Sequence, residues 1–445
     1  MPDQTPAPAL DAAKYRRLVQ DVQPLVASGA VNRIVGLVIE GSGPRTSVGG
    51  VCEIRSEGRP VVEAEIVGFG EDKIFLMALG DMRHIAPRSR IVATTERATV
   101  RVGDAMLGRV LDGLGEPLDG KRRPLCTEER LLYGRPLNPA TRQRISQPLD
   151  LGVRVLNGLL TLGKGQKIGI FAGSGVGKSV LLGMIARHTR ADVNVIALIG
   201  ERGREVREFL ERDLGPEGRA RSVVIAATSD QSPLVRMRGA FLGTAIAEHF
   251  RAQGKHVLFM MDSLTRFAMA RREVGLSVGE PPTTRGYTPS VFTLMPALLE
   301  RVGNDDGDGS ITGIYTVLVE ADDLNDPIGD ASRSILDGHV VLSRALASRN
   351  QYPAVDVLAS TSRCMTDVAG REHLAAAARF RSTLATYRDA EDLITIGAYA
   401  KGSAAKIDDA IAKIGALNAY VAQPVNQKVT FEDSVQHLAS LFAQG

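Results

Sequence analysis

Residues 172–179 read Ala-Gly-Ser-Gly-Val-Gly-Lys-Ser. The apolar run Lys167-Ile168-Gly169-Ile170-Phe171 precedes them, and the helix-forming Val180-Leu181-Leu182-Gly183-Met184-Ile185-Ala186-Arg187 follows. A glycine-rich loop between a strand and a helix is built to hold phosphate. Glycines let successive backbone N–H groups turn inward on phosphate oxygens. The helix N-terminus adds its partial positive charge. Gly173, Ser174, Gly175, Val176, Gly177, Lys178, Ser179 and Val180 are therefore the expected cradle of a nucleoside triphosphate. Lys178 can reach the β- and γ-phosphates, and Ser179 offers a hydroxyl to Mg²⁺. The pattern G-x-x-x-x-G-K-[ST] is broken at its first position by Ala172. A methyl is tolerable there only where the backbone angle is not glycine-like.

Two carboxylates extend this chemistry. Asp262 ends the apolar run Val257-Leu258-Phe259-Met260-Met261. At the end of a strand beside a phosphate loop, such a carboxylate can hold Mg²⁺, usually through water. Glu201 opens the charged stretch Gly200-Glu201-Arg202-Gly203-Arg204-Glu205 after the run 193–199. Ligands of open α/β sheets gather at the carboxyl ends of strands, so Glu201 is placed to orient a water for attack on the γ-phosphorus. Taken alone it reads as a surface carboxylate in a charge-rich turn. Arg202 and Arg266 either neutralise phosphate charge or form ion pairs.

Positioning such groups needs a parallel sheet. Val193–Ile199, Ser222–Ala226 and Val257–Met261 are near-continuous apolar runs of strand length, as in parallel strands buried on both faces. Helical stretches such as Glu205–Leu214 and Leu234–Gln253 separate them. This alternation predicts an α/β core over residues 99–368. Residues 31–98 instead carry short β-branched runs punctuated by Gly and Pro, the pattern of a small β-barrel. Strand signals fade after about residue 369, and 369–445 reads as a helical domain. Residues 1–10 are rich in Pro and Ala; within 1–30 a short helix is expected from Asp11, with Tyr15, Leu18, Val19 and Val22 on one face. It either packs on its own domain or docks a partner.

Bulk properties exclude several classes. The 445 residues carry 54 basic and 51 acidic side chains, a net charge of +3, so nothing demands a polyanionic partner. The barrel segment has balanced charge and only Phe69 and Phe75 as aromatics, which argues against a nucleic-acid-binding barrel. Three cysteines, Cys52, Cys126 and Cys364, form no C-x-x-C pair and read as reduced structural thiols of a reducing compartment. The seven histidines show no ligand spacing. The N-terminus lacks a secretory pattern, and no apolar run approaches the roughly 20 residues that cross a bilayer. The expected location is cytoplasmic, with any membrane role peripheral.

In order along the chain stand the phosphate loop, Gly200–Val206, Met261-Asp262-Ser263-Leu264-Thr265-Arg266, Asp322-Asp323-Leu324-Asn325-Asp326-Pro327, Leu336-Asp337-Gly338-His339 and Gln351-Tyr352-Pro353-Ala354-Val355-Asp356. With these the chain resembles the hexameric ATPases of type III secretion, and through them the catalytic subunit of rotary ATP synthases. Gly397-Ala398-Tyr399-Ala400-Lys401-Gly402-Ser403 looks like the flagellar branch. The resemblance covers essentially the whole chain. It implies a RecA-like P-loop ATPase core with an N-terminal β-barrel and a C-terminal helical domain. It further implies a homohexamer hydrolysing ATP, with Mg²⁺, at subunit interfaces to drive release of export substrates and chaperones.

Residue roles come with the resemblance. Glu201 matches the catalytic carboxylate, and Arg363 the arginine that reaches a neighbouring subunit's site, a role its own sequence context does not suggest. Such fingers are worth about 10³–10⁵ in rate. Tyr352 matches the aromatic lying against adenine, where residue type alone allows a core or turn tyrosine. Asp322, Asp323 and Asp326 match a loop facing the central pore, where a coiled-coil stalk protein inserts. The implied further partners are a negative regulator on the N-terminal helix and membrane proteins of the export gate, with peripheral association at the inner membrane and no nucleic acid. A virulence secretion ATPase, a rotary synthase subunit, an RNA translocase and a nucleotide-regulated scaffold are the competing readings. The C-terminal region lacks the acidic lever of rotary synthases, and the set Lys178, Glu201, Asp262 and Arg363 argues for turnover.

Overall fold

The computed structural model describes Arg16 and residues 27–44, 46–319 and 326–443. Apart from Arg16, the expected N-terminal helix lies outside the described residues, as do Asp322 and Asp323. The chain divides into two compact units, Met1–Ala98 and Thr99–Gly445.

In the first unit, six strands, β1 (Ser28–Val35), β2 (Val38–Ser42), β3 (Val51–Arg55), β4 (Val62–Phe69), β5 (Ile74–Ala78) and β6 (Arg90–Thr95), close into a barrel in the order β1-β2-β5-β4-β3-β6. Closure leaves no unpaired edge. Alternation sets the inward face: Cys52 and Ile54 from β3 and Val62, Ala64 and Ile66 from β4 are buried with Ile39, Leu76 and Ile91.

In the second unit, residues 99–150 differ from the expected strand–helix alternation. They hold a two-stranded ribbon of β7 (Thr99–Val102) with β9 (Glu128–Leu131), a short β8 (Val110–Leu111) and loops. Gly103, Gly108, Gly113, Gly115, Pro117 and Gly120 interrupt this stretch too often for a helix to nucleate. Alternation begins at the helix Arg154–Leu159 and continues through β10 (Lys167–Ala172), β11 (Val193–Ile199), β12 (Ser222–Ala227), β13 (His256–Asp262), β14 (Ser310–Leu318), β15 (Gly338–Leu342) and β16 (Val355–Ser362).

The sheet order is β16-β15-β10-β14-β13-β11-β12-β8. All pairs are parallel except β15 with β16. Every residue of β10, β11 and β12 is buried, as strands covered on both faces require. The helix Pro233–Ala252 packs on β11, β12 and β13. Three further helices, Arg371–Thr395, Ala405–Val421 and Phe431–Ser440, end the chain and bury Phe380, Leu417, Tyr420 and Leu438 in the same core as Val155, Leu156 and Leu159. Among the described residues, no helix is long and apolar enough to cross a membrane. The three cysteines are free and buried; burial pushes the Cys52 thiol up to about 11 and Cys364 up to about 12.

Candidate active site

Ala172 is the last residue of β10, paired with Leu318 and Leu342, and its φ is not positive, so its methyl meets no backbone constraint. The turn that follows does require glycine: φ is 79° at Gly175 and 87° at Gly177, where a side chain is strained. Gly177 caps the helix Lys178–His188 without a side-chain hydrogen bond. The first N–H groups of that helix are therefore offered to a ligand.

A cleft of about 940 Å³ opens over this loop, lined by Gly173, Ser174, Gly175, Gly177, Lys178, Ser179 and Val180. Val176 is instead buried beneath the loop. From the carboxyl ends of β11 and β13 come Glu201 and Asp262. The Lys178 Nζ donates to Glu201 Oε1 at 3.4 Å and also contacts Asp262 Oδ1. The Thr316 hydroxyl, from β14, which lies between β10 and β13, donates to the same Asp262 oxygen at 2.6 Å. Neighbouring strands lie about 4.8 Å apart, so carboxylates from the adjacent strands β11 and β13 converge on one ammonium.

The electrostatics follow from this crowding. Burial, and then the Asp262 charge, push the Glu201 carboxyl up to about 8. Burial works against the Lys178 ammonium, yet Asp262 and Glu201 outweigh it and hold its pKa above the ordinary lysine value. Glu205 is held below the usual range, first by its hydrogen bond with Glu201 and further by Arg202.

The cleft is strongly basic: Arg202, Arg212, Arg266, Arg272, Arg285 and Arg344 line it. Arg202 stands at the start of the helix Gly203–Glu208 with Glu205 at 3.7 Å. Arg266 lies across Gly200 on the helix Leu264–Ser277. Asp326 caps the helix Pro327–Ile335 and accepts from Arg285 at 3.2 Å. The Tyr352 ring lies across the loop, 3.4 Å from where a Cβ on Gly177 would stand.

Arg363 is not in this cleft. Its Nη2 donates to the Arg333 carbonyl at 3.2 Å, and its backbone N–H donates to Asp337 O at 2.9 Å. Asp337 in turn accepts from the N–H of Lys167, the first residue of β10. Arg363 thus stands at the amino end of the strand whose carboxyl end carries the phosphate loop.

The sequence model of the "ATP synthase alpha/beta family, nucleotide-binding domain" matches residues 152–362, and that of the "T3SS EscN ATPase C-terminal domain" matches 369–440. The flagellum-specific ATP synthase of Bacillus subtilis is 53% identical over 415 residues, 93% of this chain and 94% of that protein. The chain belongs to the type III secretion ATPases. The type 3 secretion system ATPase of Xanthomonas euvesicatoria is 50% identical over 93% of each chain. Among solved structures, the assembled ATPase EscN of enteropathogenic E. coli superposes with a TM-score of 0.87, and the same ATPase in complex with its central stalk EscO with 0.86. In both the identity is 45%, over 93% of this chain and 100% of the other. The chain is thus an ATPase of type III export, built on a nucleotide-binding core.

No sequence signal marks Thr316, Arg212, Arg272 or Arg344. Thr316 sits inside an apolar strand with no motif around it, and the arginines are drawn from separate segments by the sheet's crossovers.

Proposed function

We propose that this chain is the ATPase of flagellar type III export and that it works as a homohexamer, hydrolysing ATP at the interfaces between subunits. The observation that carries this reading is the separation of Arg363 from the cleft holding Lys178, Glu201 and Asp262. An arginine at the far end of the sheet is available to a neighbour.

In this reading the backbone N–H groups of residues 173–179 hold the phosphates, and Lys178 leaves its two carboxylates to meet the β- and γ-phosphates. Glu201 orients the attacking water. Its raised proton affinity suits a group that accepts a proton near neutral pH. Among the described residues, no group of three or more His, Cys, Asp or Glu could hold a metal alone. The hydroxyl of Ser179 and the carboxylate of Asp262 are hard oxygen donors suited to a Mg²⁺ shared with phosphate oxygens. When bound, that ion neutralises phosphate charge. Tyr352 flanks the base, and Arg202 and Arg266 balance charge at the cleft wall.

The EscN complex with EscO supports a central stalk as partner; its proposed contact is the acidic stretch holding Asp322, Asp323 and Asp326. A regulator on the N-terminal helix, gate proteins of the inner membrane, and substrates with their chaperones complete the proposed set. The stretch 397–403, a turn between the helices Arg371–Thr395 and Ala405–Val421, supports the flagellar branch.

ATPase rate against protein concentration tests the assembly. Specific activity rising steeply with concentration is expected; a rate per chain independent of concentration overturns interfacial catalysis. Replacing the flagellar ATPase of a motile bacterium with this chain separates the branches, since restored swimming is expected only of the flagellar one.

A further inference from the structure

Gln423 follows the helix Ala405–Val421 and is almost fully buried. Its side chain makes three hydrogen bonds, two of them to residues far away in sequence. Oε1 accepts from the backbone N–H of Arg154 at 2.7 Å, and Nε2 donates to the carbonyls of Gly152 at 3.0 Å and Gln427 at 2.6 Å. The N–H of Arg154 opens a helix whose preceding residue, Val153, supplies no side-chain cap. Gln423 therefore satisfies a donor that the helix itself leaves open. A buried amide so satisfied holds its loop in one place.

The backbone N–H of that same Gln423 donates to the Tyr352 carbonyl at 2.9 Å. Two residues on, the Val425 carbonyl accepts from Arg187 Nη2 at 3.0 Å. Arg187 lies in the last turn of the helix Lys178–His188, and its other nitrogen is anchored on the Asp213 carbonyl. The Tyr352 ring lies against Gly177, the cap of that same helix. The loop 422–427 consequently grips the phosphate-loop helix at both ends, through Arg187 directly and through Tyr352.

We infer that Gln423 is a positioning residue for nucleotide binding: its bonds to Gly152 and Arg154 fix the loop that holds Tyr352 over Gly177. This rests on the reading of Tyr352 as the wall of the base site. Gln423 itself touches no nucleotide. Its effect falls on the affinity of nucleotides with a base, and chemistry at the γ-phosphate is untouched. The helical end of the chain thereby sets nucleotide affinity.

The test is a double-mutant cycle in the full-length chain with Gln423→Ala, Tyr352→Ala and the pair. It measures dissociation constants for ADP and for inorganic tripolyphosphate, together with KM and kcat for ATP. Loss of a buried hydrogen-bond network of this size is worth about 10-fold in affinity. Gln423→Ala is expected to weaken ADP and raise KM by about that factor, leaving kcat and tripolyphosphate binding unchanged. In the Tyr352→Ala background it should add nothing.

Additive losses, or an equal loss of tripolyphosphate binding, overturn the inference. Normal ADP binding by Gln423→Ala beside weak binding by Tyr352→Ala also overturns it while sparing the base-site reading. Normal binding by Tyr352→Ala removes that reading and the inference with it. Should Gln423→Ala fail to fold, Gln423→Glu keeps the acceptor for Arg154 and loses both donors, and runs through the same cycle with the same outcomes.

Discussion

Arg363 and Lys178 stand at opposite ends of one strand. The backbone of Arg363 is bonded to Asp337, which pairs with Lys167 at the start of β10, whereas Lys178 follows the phosphate loop at its end. Six residues of extended chain separate the ends by roughly 20 Å, too far for the two side chains to serve one site. The antiparallel turn of β16 against β15 creates this separation, because it carries Ser362 back to the level of Gly338. A parallel β16 would have ended at the cleft.

Lys178→Ala removes the cation that Glu201 and Asp262 share. Hydrolysis should fall below detection because no other side chain of the loop carries positive charge to the β- and γ-phosphates. The fold should survive, since alanine is favoured at the first turn of a helix. Turnover and a thermal melt measured together check this; a folded variant with near-normal turnover would remove the loop from the mechanism.

The Glu201 carboxyl titrates far above its ordinary value, with a definite consequence for stability. Its pKa rises from 4.5 to about 8, through burial and then through Asp262. Between those values the folded chain binds the proton that the unfolded chain has released. Stability therefore falls as pH rises through this window. Glu201→Gln cannot titrate, so without nucleotide its melting temperature should gain on the native chain from pH 5 toward pH 8. A gap that stays constant with pH would show that Glu201 is already ionised at the lower end.

Gly158 is where the helix Arg154–Leu159 meets the helical end of the chain. A methyl there would stand 1.9 Å from the Tyr420 hydroxyl oxygen, which donates to the Ser434 carbonyl at 2.8 Å. Gly158→Ala should therefore destabilise the protein by about 1–3 kcal/mol, the usual cost of overpacking. Tyr420→Phe in the same chain removes the clashing atom and should recover part of the loss. If melting temperatures show no recovery, the strain lies elsewhere than at that hydroxyl.

Much of this was legible before any coordinates. The runs 193–199, 222–226 and 257–261 are so uniformly apolar that only strands covered on both faces suit them, and β11, β12 and β13 are such strands. Lys178, Glu201 and Asp262 converge because Asp262 ends one strand of that sheet and the other two closely follow the carboxyl ends of β10 and β11. Residues 99–150 depart from the expected alternation because glycines and prolines mark turns without saying what lies between them. Thr316 and Gln423 were invisible for a different reason. Each works through a partner distant in sequence, Asp262 and Arg154, and no local spacing announces such a contact.

Glu201 and Arg363 give the sharpest test of the assembly. Glu201→Gln keeps shape and hydrogen bonding but loses the carboxylate, so ATP binding should persist while turnover drops at least about 10²-fold. Arg363→Ala should likewise bind ATP and fail to turn it over, because the charge it supplies is needed only as the phosphoryl group transfers. Each variant alone gives rings in which every interface lacks one group. Mixed together, some interfaces pair an intact Glu201 on one subunit with an intact Arg363 on the next, and part of the activity should return. Recovery at those interfaces is impossible if both residues serve a site within one chain, since every chain in the mixture is defective. ATPase rate against mixing ratio, with co-assembly verified by light scattering, decides the matter. A co-assembled mixture that stays inactive at every ratio would show that Arg363 does not complete the neighbour's site, or that a single dead interface silences the ring. Varying native chain against Glu201→Gln alone separates those two, because a ring silenced by one interface loses activity far more steeply than in proportion to the variant added.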